Sequence, residues 1–194
     1  MPINYPNGSK SQIKIKKDSS RGMTFESDLN QSNEYYRIHN IALIYKKPTP
    51  IQIVKVDYPS RNKARIVEAY YQTPSTTDYN GLYKGKYIDY EAKQTENLSF
   101  PFKHIFDHQV NHLKKCKEHG GIAFVIIYFK KVGEVYMIDI DPFYERYMNN
   151  DVKRSINLDD LNELCQINKA YNIHLRYAPL IDYIKGIDAM YFNK

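Results

Sequence analysis

The chain has 194 residues, which is enough to bury a hydrophobic core without a structural metal or a disulfide. Hydrophobic residues make up 42% and charged residues 26%, which excludes the collagen-like and disordered classes. No apolar stretch is long enough to span a membrane, and the N-terminus lacks the apolar core of a signal peptide, which excludes the membrane and secreted classes. The formal net charge is +6, and the two cysteines, Cys116 and Cys165, predict a reducing, cytoplasmic compartment.

The positive charge is concentrated in two stretches of the chain. Residues 1–22 hold five Lys and Arg against one acid, and residues 37–71 hold seven against two. Clustered cations of this kind favour a polyanionic partner such as nucleic acid. A mildly basic soluble protein without such a partner remains an alternative at this point.

The first half of the chain predicts a basic arm, a helix and a hairpin. Residues 1–20 are polar and lack apolar periodicity, which predicts a flexible arm ahead of a single domain over 21–194. A helix is expected from about 22 to 37, followed by a short apolar strand. Two strands with basic flanks then predict a projecting β-hairpin within 46–71, inserted into the domain.

The second half predicts a mixed α/β domain. A second hairpin is expected over 76–93, with its turn within 80–86. A continuous apolar run is typical of a strand that is covered on both faces. The remaining expected elements are a helix over 103–118, strands over 122–128 and 134–140, a short helix over 157–166 and a closing helix over 181–192.

The second strand of this hairpin carries the most informative pattern. Side chains alternate between the faces of a strand, so Asp89, Glu91 and Lys93 share one face. In a hairpin Asp78 returns beside Glu91 from the neighbouring strand. Two carboxylates bind a hard divalent cation, and a lysine beside them stabilises negative charge during phosphodiester hydrolysis. The alternative is an ordinary exposed strand face with a Glu–Lys pair.

Seven motifs carry a resemblance to a known family. Asp78 followed by Glu91-Ala-Lys93 matches the Asp…(Asp/Glu)-x-Lys signature of restriction-endonuclease-like nucleases. With the surrounding sequence, the chain resembles the RecU family of Holliday-junction resolvases, found in low-GC Gram-positive bacteria. The motifs are YPNG (5–8), RGMTFE (21–26), KKPTP (46–50), STTDYNG (75–81), YIDYEAK (87–93), FDHQ (106–109) and YAPLIDY (177–183).

The resemblance implies a fold, an activity and partners. It implies a restriction-endonuclease-like mixed sheet flanked by helices, with the basic hairpin as a stalk that enters the junction centre. The implied activity is Mg²⁺-dependent resolution of four-way DNA junctions by paired symmetric nicks in recombination and repair, with Mn²⁺ as a possible substitute. The implied partners are branched DNA, a second copy of the chain in a homodimer, a recombinase and a branch-migration helicase, with no membrane and a nucleoid-associated location.

The resemblance also implies a role for each matching site residue. Thr76, Asp78, Glu91 and Gln109 match the magnesium-site residues, and Lys93 matches the transition-state stabiliser. The segment between Lys93 and Phe106 is slightly shorter than in the family, which weakens the match at Gln109. Candidate phosphate contacts, taken from the basic stretches and turns, are Arg21, Lys46, Lys47, Arg61, Lys63, Arg65, Lys84 and Lys86.

Helical geometry tests the position of Gln109 independently of the resemblance. At 100° per residue, Phe106, Val110 and Leu113 define a buried face, and Gln109 lies at the edge of it. The same helix spaces His104, His108, His112 and Cys116 four residues apart. Because a structural zinc site draws ligands from more than one segment, the three histidines are expected to form a solvated face instead.

Two other functions remain open from the residues alone. The same fold is compatible with an endonuclease that cuts ordinary duplex DNA at a sequence. A non-enzymatic protein that binds junctions and modulates a recombinase would carry the same basic stretches, and its acids would be structural only.

Overall fold

The computed structural model describes residues 24–60, 63–72, 77–149 and 154–193. The helices are α1 (Phe25–Ile38), α2 (Asp107–Glu118), α3 (Ile140–Met148), α4 (Leu158–Gln166) and α5 (Tyr183–Ile187), and α5 continues as a π-helical turn (Asp188–Phe192). The strands are β1 (Leu43–Lys46), β2 (Ile51–Asp57), β3 (Arg65–Tyr71), β4 (Tyr79–Tyr83), β5 (Lys86–Thr95), β6 (Ser99–Pro101), β7 (Ile122–Phe129), β8 (Glu134–Asp139), β9 (Ser155–Asn157) and β10 (Ala170–Ile173).

A mixed six-stranded sheet forms the centre of the molecule. Its strand order is β1-β4-β5-β7-β8-β10, in which β5 and β7 run parallel and the other neighbours are antiparallel. Two smaller sheets join β2 with β3 and β6 with β9. The prediction of a mixed α/β sheet flanked by helices is confirmed.

Each face of the central sheet supports its own hydrophobic core. One core packs α1 and α5 against the sheet, and the other packs α2, α3 and α4 against the opposite face. Strand β7 contributes Phe124 to the first core and Val125 to the second, and both side chains are completely buried. This is the burial expected of a continuous apolar strand.

The amphipathic pattern and an N-cap explain the first helix. The hydroxyl of Thr24 accepts a hydrogen bond from the backbone N–H of Ser27 at 3.3 Å, which satisfies one of the free donors at the helix start. Phe25, Leu29 and Tyr36 are buried on one face. The helix predicted over 22–37 is therefore confirmed from Phe25 onwards.

The predicted stalk hairpin projects from the sheet. Strands β2 and β3 pair with each other in antiparallel register and belong to no larger sheet. Every residue of β3 is exposed, and β2 is exposed along most of its length. We call β2, β3 and the connection between them the stalk, which lies between β1 and β4 in the chain.

The second hairpin places the acidic strand in the middle of the sheet. Strands β4 and β5 are joined at Lys84 and Gly85, which both have positive φ angles of 46° and 74°. Strand β4 has a glycine at position 81, where β1 passes very close to its backbone. An added Cβ there would lie 2.1 Å from the carbonyl oxygen of Leu43, so a side chain would push the two strands apart.

Some elements differ from the sequence-based expectation. Helix α3 and the edge strand β10 were not predicted, and α2 begins at Asp107 after a short 3₁₀ turn over 102–104. In the part of the chain that the structure describes, no helix is long and apolar enough to cross a membrane.

Candidate active site

Strand β5 carries two buried acids on the side of the sheet that faces α2. Asp89 and Glu91 are completely buried, and Lys93 is partly buried beside them. Ile88 and Tyr90 point to the opposite face and belong to the α1-side core. The alternation predicted for this strand is correct, but its polar face is not the solvated surface that the alternative interpretation required.

Antiparallel pairing brings Asp78 next to Glu91. The register joins Tyr79 to Tyr90, so Asp78 lies opposite Glu91 just before β4 begins. The backbone N–H of Asp78 donates to Oε2 of Glu91 at 3.1 Å. Two acids that are 13 positions apart in the sequence thus meet at one point of the sheet.

Glu91 has three polar neighbours despite its burial. Its Oε1 lies 2.6 Å from the Lys93 ammonium and accepts a 2.7 Å hydrogen bond from the Gln109 side-chain amide. Burial is the main cause that raises the pKa of Glu91 to about 7; the negative charge of Asp78 contributes to the rise, and Lys93 opposes it. A cation bound at this carboxylate would favour its charged form.

Gln109 reaches the site from the first turn of α2. Its side chain is 6% exposed, its Nε2 donates to Glu91, and its Oε1 accepts the backbone N–H of Phe106 at 3.1 Å. The amide therefore orients the Glu91 carboxylate. The expectation that Phe106 lies on the buried face is wrong, because Phe106 precedes the helix in an extended conformation and its side chain is 62% exposed.

A cleft opens to solvent beside Asp78. It has a volume of about 680 Å³, and its lining includes Asp78 and Lys93 from the acidic site. Glu26 of α1 and His104, which precedes α2, also line it. The cleft therefore has carboxylates and an ammonium in its lining, which suits a ligand that carries a phosphate and a cation.

A second polar cluster surrounds Asp89. Asp89 accepts from the Lys47 ammonium and the Tyr87 hydroxyl, each at 2.8 Å, and lies 3.2 Å from Nε2 of His112. The ligand-type atoms of Asp89, His112 and Cys116 all lie within 4.8 Å of one another. The expectation that the histidines of α2 form only a solvated face is wrong for His112, because a buried carboxylate from the sheet lies beneath it.

The candidate phosphate contacts have different environments. Lys47 is paired with the buried Asp89, and its side chain is only 16% exposed. Four others have partners at the surface: Lys46 contacts Glu26, Arg65 contacts Asp57, Lys84 contacts Asp188, and Lys86 contacts the carbonyl oxygen of Gly120. Lys63 is exposed in the stalk. Arg21, Arg61 and the predicted metal ligand Thr76 lie outside the described residues.

Sequence reasoning missed the residues that contact Asp89. Lys47, Thr77 and His112 come from three different parts of the chain, and Lys47 is 42 positions from Asp89. The strand alternation placed Asp89 on the acidic face, which was the available signal. The burial of that face and the position of Lys47 depend on tertiary packing.

Comparisons with known proteins give one consistent family. The family described as "RecU: Recombination protein U" matches residues 20–189. A relative from Shouchella clausii (strain KSM-K16), called "Holliday junction resolvase RecU", is 46% identical and is covered over 97% of its length by the whole of this chain. A relative of the same name from Bacillus cereus (strain G9842) is 47% identical with full coverage of both chains.

Among solved structures, the fold is similar to Hjc from Archaeoglobus fulgidus, described as a Holliday junction resolvase from an archaeal hyperthermophile. The TM-score is 0.38 and the identity 14%, over 61% of this chain and 77% of that chain. This similarity is too distant to bear on the site.

Proposed function

The chain belongs to the RecU family, and we infer from this that it is a Holliday junction resolvase, an endonuclease that cuts four-way DNA junctions. The observation within the molecule that carries the inference is the convergence of Asp78, Glu91 and Lys93, of which Asp78 and Lys93 line one cleft. Two carboxylates can hold a catalytic cation for phosphodiester hydrolysis, and an ammonium can stabilise the charge that develops on the phosphate. A binding protein without catalysis would need no such buried arrangement.

The donors at this cleft fit a hard divalent cation such as Mg²⁺, with Mn²⁺ as a substitute. Asp78 and Glu91 supply carboxylate oxygens, which both ions prefer. Glu91 is buried with a raised pKa and keeps unused acceptor capacity on Oε2, so a cation would compensate its charge. Thr76 and Gln109 are further candidates for the site, Gln109 through its hold on Glu91 or through a bound water.

When bound, the cation lowers the pKa of a water ligand and polarises the scissile phosphate. The protein's own groups do the remaining work. The Lys93 ammonium lies at the cleft wall beside Glu91, where it stabilises the negative charge that develops on the phosphate in the transition state. Gln109 fixes the Glu91 carboxylate, and the backbone of Asp78 fixes its other oxygen.

The stalk and its basic residues account for the preference for branched DNA. An exposed two-stranded arm fits the open centre of a four-way junction better than a straight duplex, and its cations bind phosphates without specifying sequence. A homodimer would present two such sites to opposite strands and produce paired nicks. We expect the enzyme to act on DNA in the cytoplasm, with a recombinase and a branch-migration helicase as partners.

Cleavage of a labelled four-way junction beside a linear duplex of the same arm sequence tests this function. Wild type, Lys93→Ala and the control Lys130→Ala are each incubated with Mg²⁺ or with EDTA. Lys130 is a suitable control because it pairs with exposed Glu96 on a surface turn. We expect symmetric junction nicks with Mg²⁺ in wild type and in the control, and loss of cutting in Lys93→Ala and in EDTA.

Two outcomes would contradict the proposal. Equal cutting of the junction and the duplex would identify a duplex endonuclease with the same fold. Tight junction binding without cutting under any condition would identify a non-enzymatic junction-binding protein.

A further inference from the structure

The carboxylate of Asp89 joins three separate segments of the chain beneath the active site. Oδ2 lies 2.8 Å from the Lys47 ammonium, and Oδ1 accepts a short hydrogen bond from the hydroxyl of Thr77. The Lys47 ammonium also donates to the Thr77 hydroxyl at 2.8 Å, which closes a triangle of contacts. His112 of α2 completes the group from the third segment.

Two of these segments lead directly to features of the proposed function. Lys47 lies between β1 and the stalk, and Thr77 immediately precedes Asp78. The backbone N–H of Lys47 donates to the carbonyl oxygen of Asp78 at 2.7 Å. Lys47 thus holds the segment that carries Asp78 through both its side chain and its backbone.

The burial of the pair argues against Lys47 as a free phosphate contact. Its side chain is 16% exposed and that of Asp89 is 0% exposed. Moving the ammonium to a DNA phosphate would leave an unpaired charge in the protein interior, which is strongly unfavourable. The exposed stalk cations carry no such constraint.

A metal at Asp89, His112 and Cys116 would also explain a cluster of such donors. The Lys47 ammonium argues against this, because it already compensates the same Asp89 oxygen that faces His112. A second cation bound to the same oxygen would be repelled by the Lys47 ammonium at short range. The cluster therefore works as an ion pair with hydrogen-bonded neighbours.

We propose that Lys47 and Asp89 are positioning residues for the metal site, and that their buried pair fixes the Thr77–Asp78 segment against β5 at the base of the stalk. The proposal rests on the proposed function, because it assumes that Asp78 and Glu91 bind the metal. Residues that orient metal ligands in this way typically change metal affinity by about tenfold to a hundredfold when they are replaced.

Direct Mn²⁺ binding, measured without DNA by the loss of the free-ion electron paramagnetic resonance signal, tests the proposal. Asp89→Asn and Lys47→Met are each expected to weaken Mn²⁺ binding about tenfold or more. The double variant is expected to bind no more weakly than the worse single variant, because the two residues act as one unit. Glu96→Gln with Lys130→Met, which removes an exposed pair, is the matched control and should bind like wild type.

Junction binding in EDTA separates positioning from phosphate contact. Lys47→Met should bind a labelled junction within about twofold of wild type, whereas a stalk cation that contacts phosphate loses affinity when it is replaced. Junction affinity that falls in Lys47→Met as far as in Arg65→Met would overturn the proposal. So would Mn²⁺ affinity within twofold of wild type in the folded Asp89→Asn variant.

Thr77→Val keeps the test decisive if the charge variants fail to fold. It removes the hydroxyl that links the ion pair to the Asp78 segment and leaves both charges in place. Weaker Mn²⁺ binding supports the proposal, and unchanged binding overturns it. If wild type and Glu91→Gln bind Mn²⁺ equally, Glu91 is not a metal ligand, and the proposed function fails together with the positioning proposal. If Glu91→Gln binds Mn²⁺ more weakly but the Lys47, Thr77 and Asp89 variants do not, only the positioning proposal fails.

Discussion

The backbone N–H of Asp78 donates a 3.1 Å hydrogen bond to Oε2 of Glu91, so one acid of the site helps to hold the other. The bond is a consequence of the antiparallel register between β4 and β5. It leaves the Asp78 carboxylate at the cleft while Glu91 lies completely buried behind it. The two carboxylates therefore differ in their access to solvent: that of Asp78 lines the cleft, whereas that of Glu91 is buried.

The burial of Glu91 predicts a gain in stability when its charge is removed. Folding raises the pKa of this carboxyl from 4.5 to about 7, so the folded state holds the proton more tightly than the unfolded state. The associated stabilisation is fully present below pH 4.5 and is lost as the pH rises to about 7. In EDTA at pH ~8, Glu91→Gln should raise the free energy of unfolding by about 3 kcal/mol.

Urea unfolding of both proteins in EDTA at low and high pH measures this effect. Near pH ~4.5 the wild-type carboxyl is also protonated, so the two curves should nearly coincide there. Glu96→Gln is the control, because Glu96 is exposed and should show no such pH-dependent gain. A variant that is less stable than wild type at the higher pH would contradict the burial cost assigned to Glu91.

The same raised pKa predicts that metal binding depends on pH. A cation must displace the proton from Glu91, so Mn²⁺ affinity of wild type should rise with pH and level off above about 7. Below that value the slope should approach about tenfold per pH unit. Titration of Mn²⁺ at several pH values checks this, and Glu91→Gln should bind weakly with little pH dependence. A flat wild-type profile would show that Glu91 is not a ligand.

Gln109 should influence the metal site through Glu91. Gln109→Ala removes the 2.7 Å hydrogen bond to Oε1, and Mn²⁺ affinity should fall about tenfold. Gln109→Glu places a second carboxylate beside the buried acid, which raises the pKa of Glu91 further and should move the pH profile of cleavage to higher pH. Asn111→Ala, an exposed position on the same helix, is the control. Identical pH profiles for wild type and Gln109→Glu would contradict this role.

The acidic strand was predictable because its signal is local. Alternation alone places Asp89, Glu91 and Lys93 on one face, and a nearby turn brings Asp78 back beside them. The structure has the turn at Lys84–Gly85, whereas the Asn80–Gly81 pair, an equally good turn signal, lies within β4. Gly81 is needed there because β1 leaves no space for a Cβ.

The elements that were missed depend on contacts between distant parts of the chain or on an overlooked cap. Helix α3 starts directly after β8, and its N-cap is Asp139, the last residue of that strand. An N-cap aspartate is a helix-start signal, but the strand predicted over 134–140 ran past it. The Lys47–Asp89 pair had no comparable signal, because only the folded sheet brings these residues together.

The stalk cations should contribute to junction affinity in proportion to their number. Lys63 is exposed, and Arg65 forms only a surface pair with Asp57 at 3.1 Å, so replacing both should leave the fold intact. Lys63→Ala with Arg65→Ala should weaken junction binding in EDTA and reduce the slope of log affinity against log salt by about two, one for each phosphate contact. Fluorescence anisotropy over a salt series measures this, with Lys130→Ala as a control that should keep the wild-type slope. An unchanged slope in the double variant would show that these two residues do not contact DNA, and junction recognition would then have to rest on other parts of the surface.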